Sequence, residues 1–355
     1  MTRNRHTHQD RPLDIVFYIL SSHGERLHEP DYPELNPLGG SETAALRLAD
    51  TLRQMGNQVR IITDADLLNG LTCDVFVSLR VWQVFQLGLY PGKVNYLWCQ
   101  DDVDQKLVED LHKPEVALPI YKRLTGLFLL STYQQVRWIK SLHLAVEKII
   151  PTTNGIPMEK FHVNPTTLRQ RKPWCYYAST PFRGLHLLLQ SWPAIRQAVP
   201  RAQLHIFSSM KVYNAEDNIE FLQLFEKARN LPGINYRGVV GQKELRETAE
   251  SCRALAYPCT FPETSCIAAM EAMAAGCVVV STSVGALIET AWQNPLIAPG
   301  NDWLRIWEKA LIKILSDDNE YERLALHNLD VVKYYDWPVI ARQWQNRFRE
   351  DLGSV

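Results

Sequence analysis

Apolar positions in this chain fall in short unbroken runs, and between many of them apolar residues recur at the spacing of one helical face. The runs at 14–20, 59–62, 75–79, 94–98 and 126–130 predict strands, because a strand covered on both faces needs no polar alternation. Ala45, Leu48, Ala49, Leu52 and Met55 share a helix face instead. That helix opens at Ser41-Glu42-Thr43, with Ser41 as N-cap and Glu42 in the first turn, and stops at Gly56. The pattern lapses around 163–173, which is polar and aperiodic, and restarts with a strand at 174–178. A helix at 185–198, a strand at 203–207, helices near 219–230 and 243–252, strands at 254–257 and 277–281, and a last helix from 337 to about 350 follow. Strand and helix in alternation mean parallel sheets with right-handed crossovers. The expected architecture is α/β, with two doubly wound, Rossmann-like domains facing across a cleft. Residues 13–165 form the N-terminal domain, 166–173 the linker and 174–336 the C-terminal domain. A disordered tail occupies 1–12, and the helix in 337–355 crosses back to the first domain.

A length of 355 residues suits two domains. The formal net charge of -1 gives no support for nucleic acid as main partner. Seven cysteines without metal-type pairing, several inside apolar runs, read as small buried hydrophobes in a reducing cytoplasm. The first ten residues are polar and lack the apolar core of a signal peptide. His6 and His8 are read as part of a floppy tail, not as a metal site. No run approaches the ~18 apolar residues of a membrane span.

In a doubly wound sheet, ligands bind beyond the carboxyl ends of the strands. Three post-strand segments carry suitable chemistry. Gly39-Gly40 follows the first strand and opens a helix; it lets a phosphate approach backbone N–H groups, or simply makes a tight turn. Arg183 follows the 174–178 strand, where a guanidinium can grip a diphosphate. The third segment, Pro262-Glu263-Thr264-Ser265-Cys266-Ile267, leads into a helix that is apolar throughout except for Glu271, and Gly276 stops it. A carboxylate in a buried helix needs a partner, either hydroxyls of a bound ligand or an internal cation. Ser265 serves as helix cap or as part of an N–H cluster aimed at a ligand. At the end of the 94–98 strand, Asp101 either meets a substrate hydroxyl or charges the first turn of the next helix. The absence of G-x-G-x-x-G argues against a dinucleotide redox enzyme.

These segments resemble a family, the retaining GT-B glycosyltransferases of glycosyltransferase family 4 (group 1), over nearly the whole chain. The run from Pro262 to Gly276 is similar to that family's donor signature of two glutamates with seven residues between. Thr153-Asn154-Gly155-Ile156-Pro157-Met158-Glu159-Lys160-Phe161 resembles its N-G-I-x-x-x-x-F segment, Gly39-Gly40 its first-strand glycine loop, and Arg183-Gly184 its basic residue followed by glycine. The resemblance implies a hexosyl- or glycosyltransferase that moves a sugar from a nucleotide-diphosphate donor to a glycan, lipid-linked or small-molecule acceptor. It implies no metal and no cofactor beyond the donor itself. Glu271 would accept hydrogen bonds from the ribose and Glu263 would face the transferred sugar. Arg183 and the N–H groups of Ser265, Cys266 and Ile267, with Thr264 beside them, would stabilise the departing diphosphate. Two positions depart from the pattern. Ala178 or Ser179 stands where many members place an arginine, and Gln100-Asp101 where many place a histidine. Gln100 cannot shuttle a proton, so Asp101 or the donor phosphate would take the acceptor's proton. Binding without transfer, or epimerisation of the nucleotide sugar, are the alternatives. A cytoplasmic location follows, with peripheral contact at the inner membrane face if the acceptor is lipid-linked.

Overall fold

The computed structural model describes residues 11–354 apart from 22, 29 and 30. The expected tail at 1–12 lies largely outside the described residues, as do His6 and His8. Arg11 is described, and its guanidinium forks onto Asp74 at 2.8 Å to each oxygen. The described chain divides into two compact units: 11–28, 41–155 and 337–354 in the first, 31–40 and 156–336 in the second.

The first unit is built on six parallel strands, β1 (Asp14–Ile19), β2 (Gln58–Ile62), β3 (Cys73–Leu79), β4 (Gly92–Cys99), β5 (Gly126–Leu129) and β6 (Ile149–Pro151), in the order β2-β1-β3-β4-β5-β6. Every residue of β3 is buried, Asp74 and Ser78 included, as expected of an inner strand covered on both faces. The C-terminal helix Trp337–Leu352 supplies much of this unit's aromatic packing. Trp344 stacks on Phe128 with ring centroids 3.6 Å apart and meets Trp98 edge-on. Its Nε1 donates to Thr152 Oγ1 at 2.7 Å, and Tyr96 donates to Asp351 at 2.7 Å.

The second unit repeats the plan with β7 (Trp174–Ala178), β8 (Gln203–Phe207), β9 (Ile234–Gly238), β10 (Ala254–Tyr257), β11 (Val278–Thr282) and β12 (Leu296–Ile297), in the order β12-β11-β10-β7-β8-β9. The strand order reverses between β7 and β10, which lie side by side with parallel register. Loops leaving those two strands therefore diverge and open a crevice between them. Residues 166–173, expected as a linker, lie inside this unit. Leu168 is fully buried in its core, and Arg171 Nη1 donates to the carbonyls of Cys252 and Gly276 at 2.8 and 3.2 Å. The stretch looks like a linker because a single leucine and an arginine bound to backbone carbonyls leave no periodic trace. Among the described residues no helix is long and apolar enough to cross a membrane.

Two measurements check this packing. Trp344→Ala should cost about 3–5 kcal/mol in urea unfolding of the first unit, the usual loss for a buried tryptophan. His205 on β8 has both ring nitrogens buried without partners; burial, then Arg237, holds its pKa below the ordinary value. Neutral His205 thus contributes stability that is complete above its unfolded pKa of about 6.5 and is lost as pH falls through its lower folded pKa. Unfolding free energies measured below about pH 6.5 should fall more steeply for the parent chain than for His205→Asn, by at most about 1.4 kcal/mol per pH unit.

Candidate functional site

The crevice of the second sheet is framed by the loops after β7 and β10; at its base Gly184, after β7, lets backbone meet the loop after β10, and Gly285, after β11, meets that loop as well. Gly184 has φ +111°, and a Cβ there would stand 2.1 Å from the carbonyl oxygen of Pro258. Gly285 has φ +61°, and its Cβ would come within 2.5 Å of the backbone N and O of Glu263. The Glu263 carbonyl in turn accepts the N–H of Ala286 at 2.7 Å.

This backbone geometry brings Arg183 and Glu263 together. Arg183 Nη1 donates to both oxygens of Glu263, at 2.8 and 3.0 Å, and Tyr257 donates to Oε1 at 2.6 Å. Exposure of the two side chains is only 20% and 7%. Burial opposes the guanidinium's charge, but Glu263 and the neighbouring Tyr257 outweigh it and the pKa rises. The Tyr257 hydroxyl is pushed well up, by burial first and then by Glu263, so it remains a donor. Arg183 also lies 4.4 Å from the ring centre of Phe261. Its Nε is buried and has no partner. The sequence suggested separate tasks for Arg183 and Glu263; the structure joins them as one ion pair at the strand reversal.

Helix Ile267–Ala274 begins directly after this loop. Cys266, at the N-cap, makes no side-chain cap, and Ser265 Oγ is buried without a partner, so it does not act as the expected cap either. Thr264 beside it is buried. The N–H groups at the start of a helix have no acceptor within it and carry partial positive charge. The helix is not enclosed all round. Ala269, Met270, Ala272, Met273 and Ala274 are buried, while Ile267, Ala268 and Glu271 form a half-open stripe. Glu271 therefore stands on the open side, one turn beyond Ile267. Gly40 reaches the same place: a Cβ on it would lie 3.4 Å from Ile267 Cδ1. It is the first residue of helix Gly40–Gln54, so Ser41 lies within the helix and is not its cap; Gly39 precedes it and is buried.

Asp101 belongs to the first unit. Arg80 grips its two oxygens at 2.8 and 2.7 Å from a left-handed backbone, φ +65°. That bidentate fork makes Asp101 an ion-pair partner, not an open base. Gln100 exchanges amide hydrogen bonds with Asn154 at 3.0 and 3.1 Å. Sequence reasoning overlooked Arg80, Tyr257 and Phe261. Only Tyr257 gave a signal, as the last residue of a strand that leads into the signature. Among the described residues no group of three or more His, Cys, Asp or Glu could hold a metal ion.

Comparison with known proteins places this geometry. Residues 175–317 match the model of "Glycosyl transferases group 1", a span that holds Arg183, Glu263 and Glu271. The second unit is thus similar to the group 1 glycosyl transferases over most of its length. The O-antigen chain mannosyltransferase B of Escherichia coli is 24% identical over 229 residues, 62% of this chain and 59% of that protein. The D-inositol 3-phosphate glycosyltransferase of Nocardioides sp. is 28% identical over 126 residues, 35% of this chain and 27% of that one. The chain thus spans less than two thirds of both curated relatives. Among solved structures, sucrose-phosphate synthase from Thermosynechococcus elongatus aligns with TM-score 0.75 over 96% of this chain and 99% of its own, at 15% identity. Anabaena Alr3699/HepE in complex with UDP-glucose aligns with TM-score 0.71 over 97% and 100%, also at 15% identity. These likenesses establish the GT-B fold.

Gly184 has a role that substitution should expose. Gly184→Ala forces either a strained left-handed alanine or retreat from Pro258, so thermal unfolding should show a loss of about 2 kcal/mol or more. The parent's unfolding midpoint in that variant would contradict the close approach of the two loops.

Proposed function

We propose that the chain is a retaining, metal-independent glycosyltransferase whose nucleotide-sugar donor binds at the β7/β10 crevice of the second unit. The observation that carries this reading is the buried Arg183–Glu263 pair beside the uncapped start of helix Ile267–Ala274. As the bond from the anomeric carbon to phosphate breaks, its electrons pass to the diphosphate. A fixed cation with a vacant Nε and a row of backbone N–H groups would meet that charge without rearranging. Glu271, on the half-open stripe, would accept ribose hydroxyls. Glu263 would hold Arg183 in register and offer its remaining lone pairs to the sugar. The acceptor oxygen forms the new bond to the anomeric carbon. Its proton would go to a departing phosphate oxygen, because Arg80 already occupies Asp101.

A UDP-sugar donor is suggested by the UDP-glucose complex of Anabaena HepE, and a glycan acceptor by the name of the Escherichia coli relative. A thermal-shift series with UDP, GDP, ADP and their sugars would identify the base, because a ligand that binds only the folded state raises the midpoint. A cytoplasmic location, with a lipid-linked acceptor reached at the inner membrane face, fits this reading. Binding without transfer draws support from one observation: Asp101 and Gln100 are both engaged, by Arg80 and Asn154.

Kinetics with the identified donor separate the roles. Arg183→Ala should lower kcat about 10²–10³-fold; the unfolding midpoint is followed in parallel, since Glu263 keeps only Tyr257. Glu271→Gln should raise donor KM about tenfold with kcat less affected. Parental kinetics in either folded variant would remove the role assigned to that residue.

A further inference from the structure

Residues 31–40 leave the first unit and pack on the second, and their anchor is a buried acid. Glu34 is buried to 7% exposure and accepts from Arg246 Nη2 at 2.9 Å. Lys160 Nζ stands 3.2 Å from its other oxygen. Arg246, on helix Gln242–Ala249, is itself 13% exposed. Lys160 comes from the N-G-I-x-x-x-x-F segment, and the Arg246 guanidinium also lies 5.8 Å from the ring centre of Phe161. Three charges from distant parts of the chain thus meet where Tyr32 and Pro33, the neighbours of Glu34 in sequence, are also buried. The backbone closes the contact: a Cβ on Gly241 would strike the Glu34 carbonyl oxygen at 2.3 Å. Six residues after Glu34 the same segment delivers Gly40 to Ile267, at the start of helix Ile267–Ala274.

We infer that Glu34, Arg246 and Lys160 are positioning residues for donor binding, holding residues 31–40 so that Gly40 borders the nucleotide-diphosphate site. The inference rests on the donor-site reading above. The buried Glu34 cannot leave without stranding its own charge and that of the largely buried Arg246, so the anchor is stiff. A loop whose end borders a ligand gains affinity when it is fixed beforehand, because the ordering cost is already met in the free protein.

The test measures nucleoside diphosphate affinity by titration calorimetry, donor KM and kcat, and the unfolding midpoint. Glu34→Gln keeps the side chain's shape and removes its charge. It should weaken nucleoside diphosphate binding and raise donor KM about ten- to a hundredfold. Combined with Arg246→Leu, it should add little to either single change, as coupled residues do. Gly241→Ala displaces the segment without touching a charge. Its backbone, at φ -71°, accepts alanine, so the variant gives the same readout if Glu34→Gln folds poorly. A merely structural anchor would lower the midpoint and leave Kd and KM at parental values in the folded protein; that result overturns the inference while the donor site stands. A parent chain that binds none of UDP, GDP or ADP overturns the donor-site reading, and this inference with it.

Discussion

A guanidinium and a carboxylate buried together at the strand reversal of the second sheet are the constraint from which the site follows. Neither Arg183 nor Glu263 could be enclosed alone, because an unpaired buried charge costs several kcal/mol. Their pairing requires the loops after β7 and β10 to approach more closely than any side chain allows. Glycine at 184 permits that approach, and glycine at 285 lets the loop after β11 close on Glu263 in turn. Removal of one partner would cost roughly 3–5 kcal/mol, so the pair fixes the loops as firmly as it fixes charge.

The pair leaves a defined set of groups unsatisfied, and these point the same way. Arg183 Nε and Ser265 Oγ are buried without partners, and the helix after them begins without a side-chain cap. Together they form a donor-rich, positively polarised mouth. On the proposed reading, Glu271, on the half-open stripe of that helix, is the complementary acceptor one turn away. Donors for a diphosphate beside an acceptor for hydroxyls is the pattern a nucleotide sugar requires, and it is made from one unit of the chain.

Much of this was legible in the sequence because inner parallel strands are dominated by apolar residues. β3, β7, β8 and β10 were all visible for that reason, although β3 carries Asp74 and Ser78 and β8 carries Gln203 and His205. β6, β9 and β12 were not: β6 and β12 are very short, and β9, Ile-Asn-Tyr-Arg-Gly, mixes polar and apolar residues at a sheet edge. The two-glutamate segment stood out as an acid within an apolar helix, although that helix has one open stripe. Ion pairs were the least legible. Arg183 and Glu263 are 80 residues apart, and Glu34 and Arg246 are 212 apart. No local pattern joins such partners. Asp101 shows the same limit: its acidity was apparent, but the Arg80 that pairs with it lies on another strand end. The 166–173 stretch misled because contacts of arginine with backbone carbonyls carry no hydrophobic signature.

The central claim is tested most directly by a crystal structure of the chain with the nucleoside diphosphate that it binds. The account predicts the diphosphate against Arg183 and the N–H groups at 265–267, with Glu271 hydrogen-bonded to ribose and the Arg183–Glu263 pair retained. A nucleotide seated away from the β7/β10 crevice, with Arg183 Nε still without a partner, would contradict it.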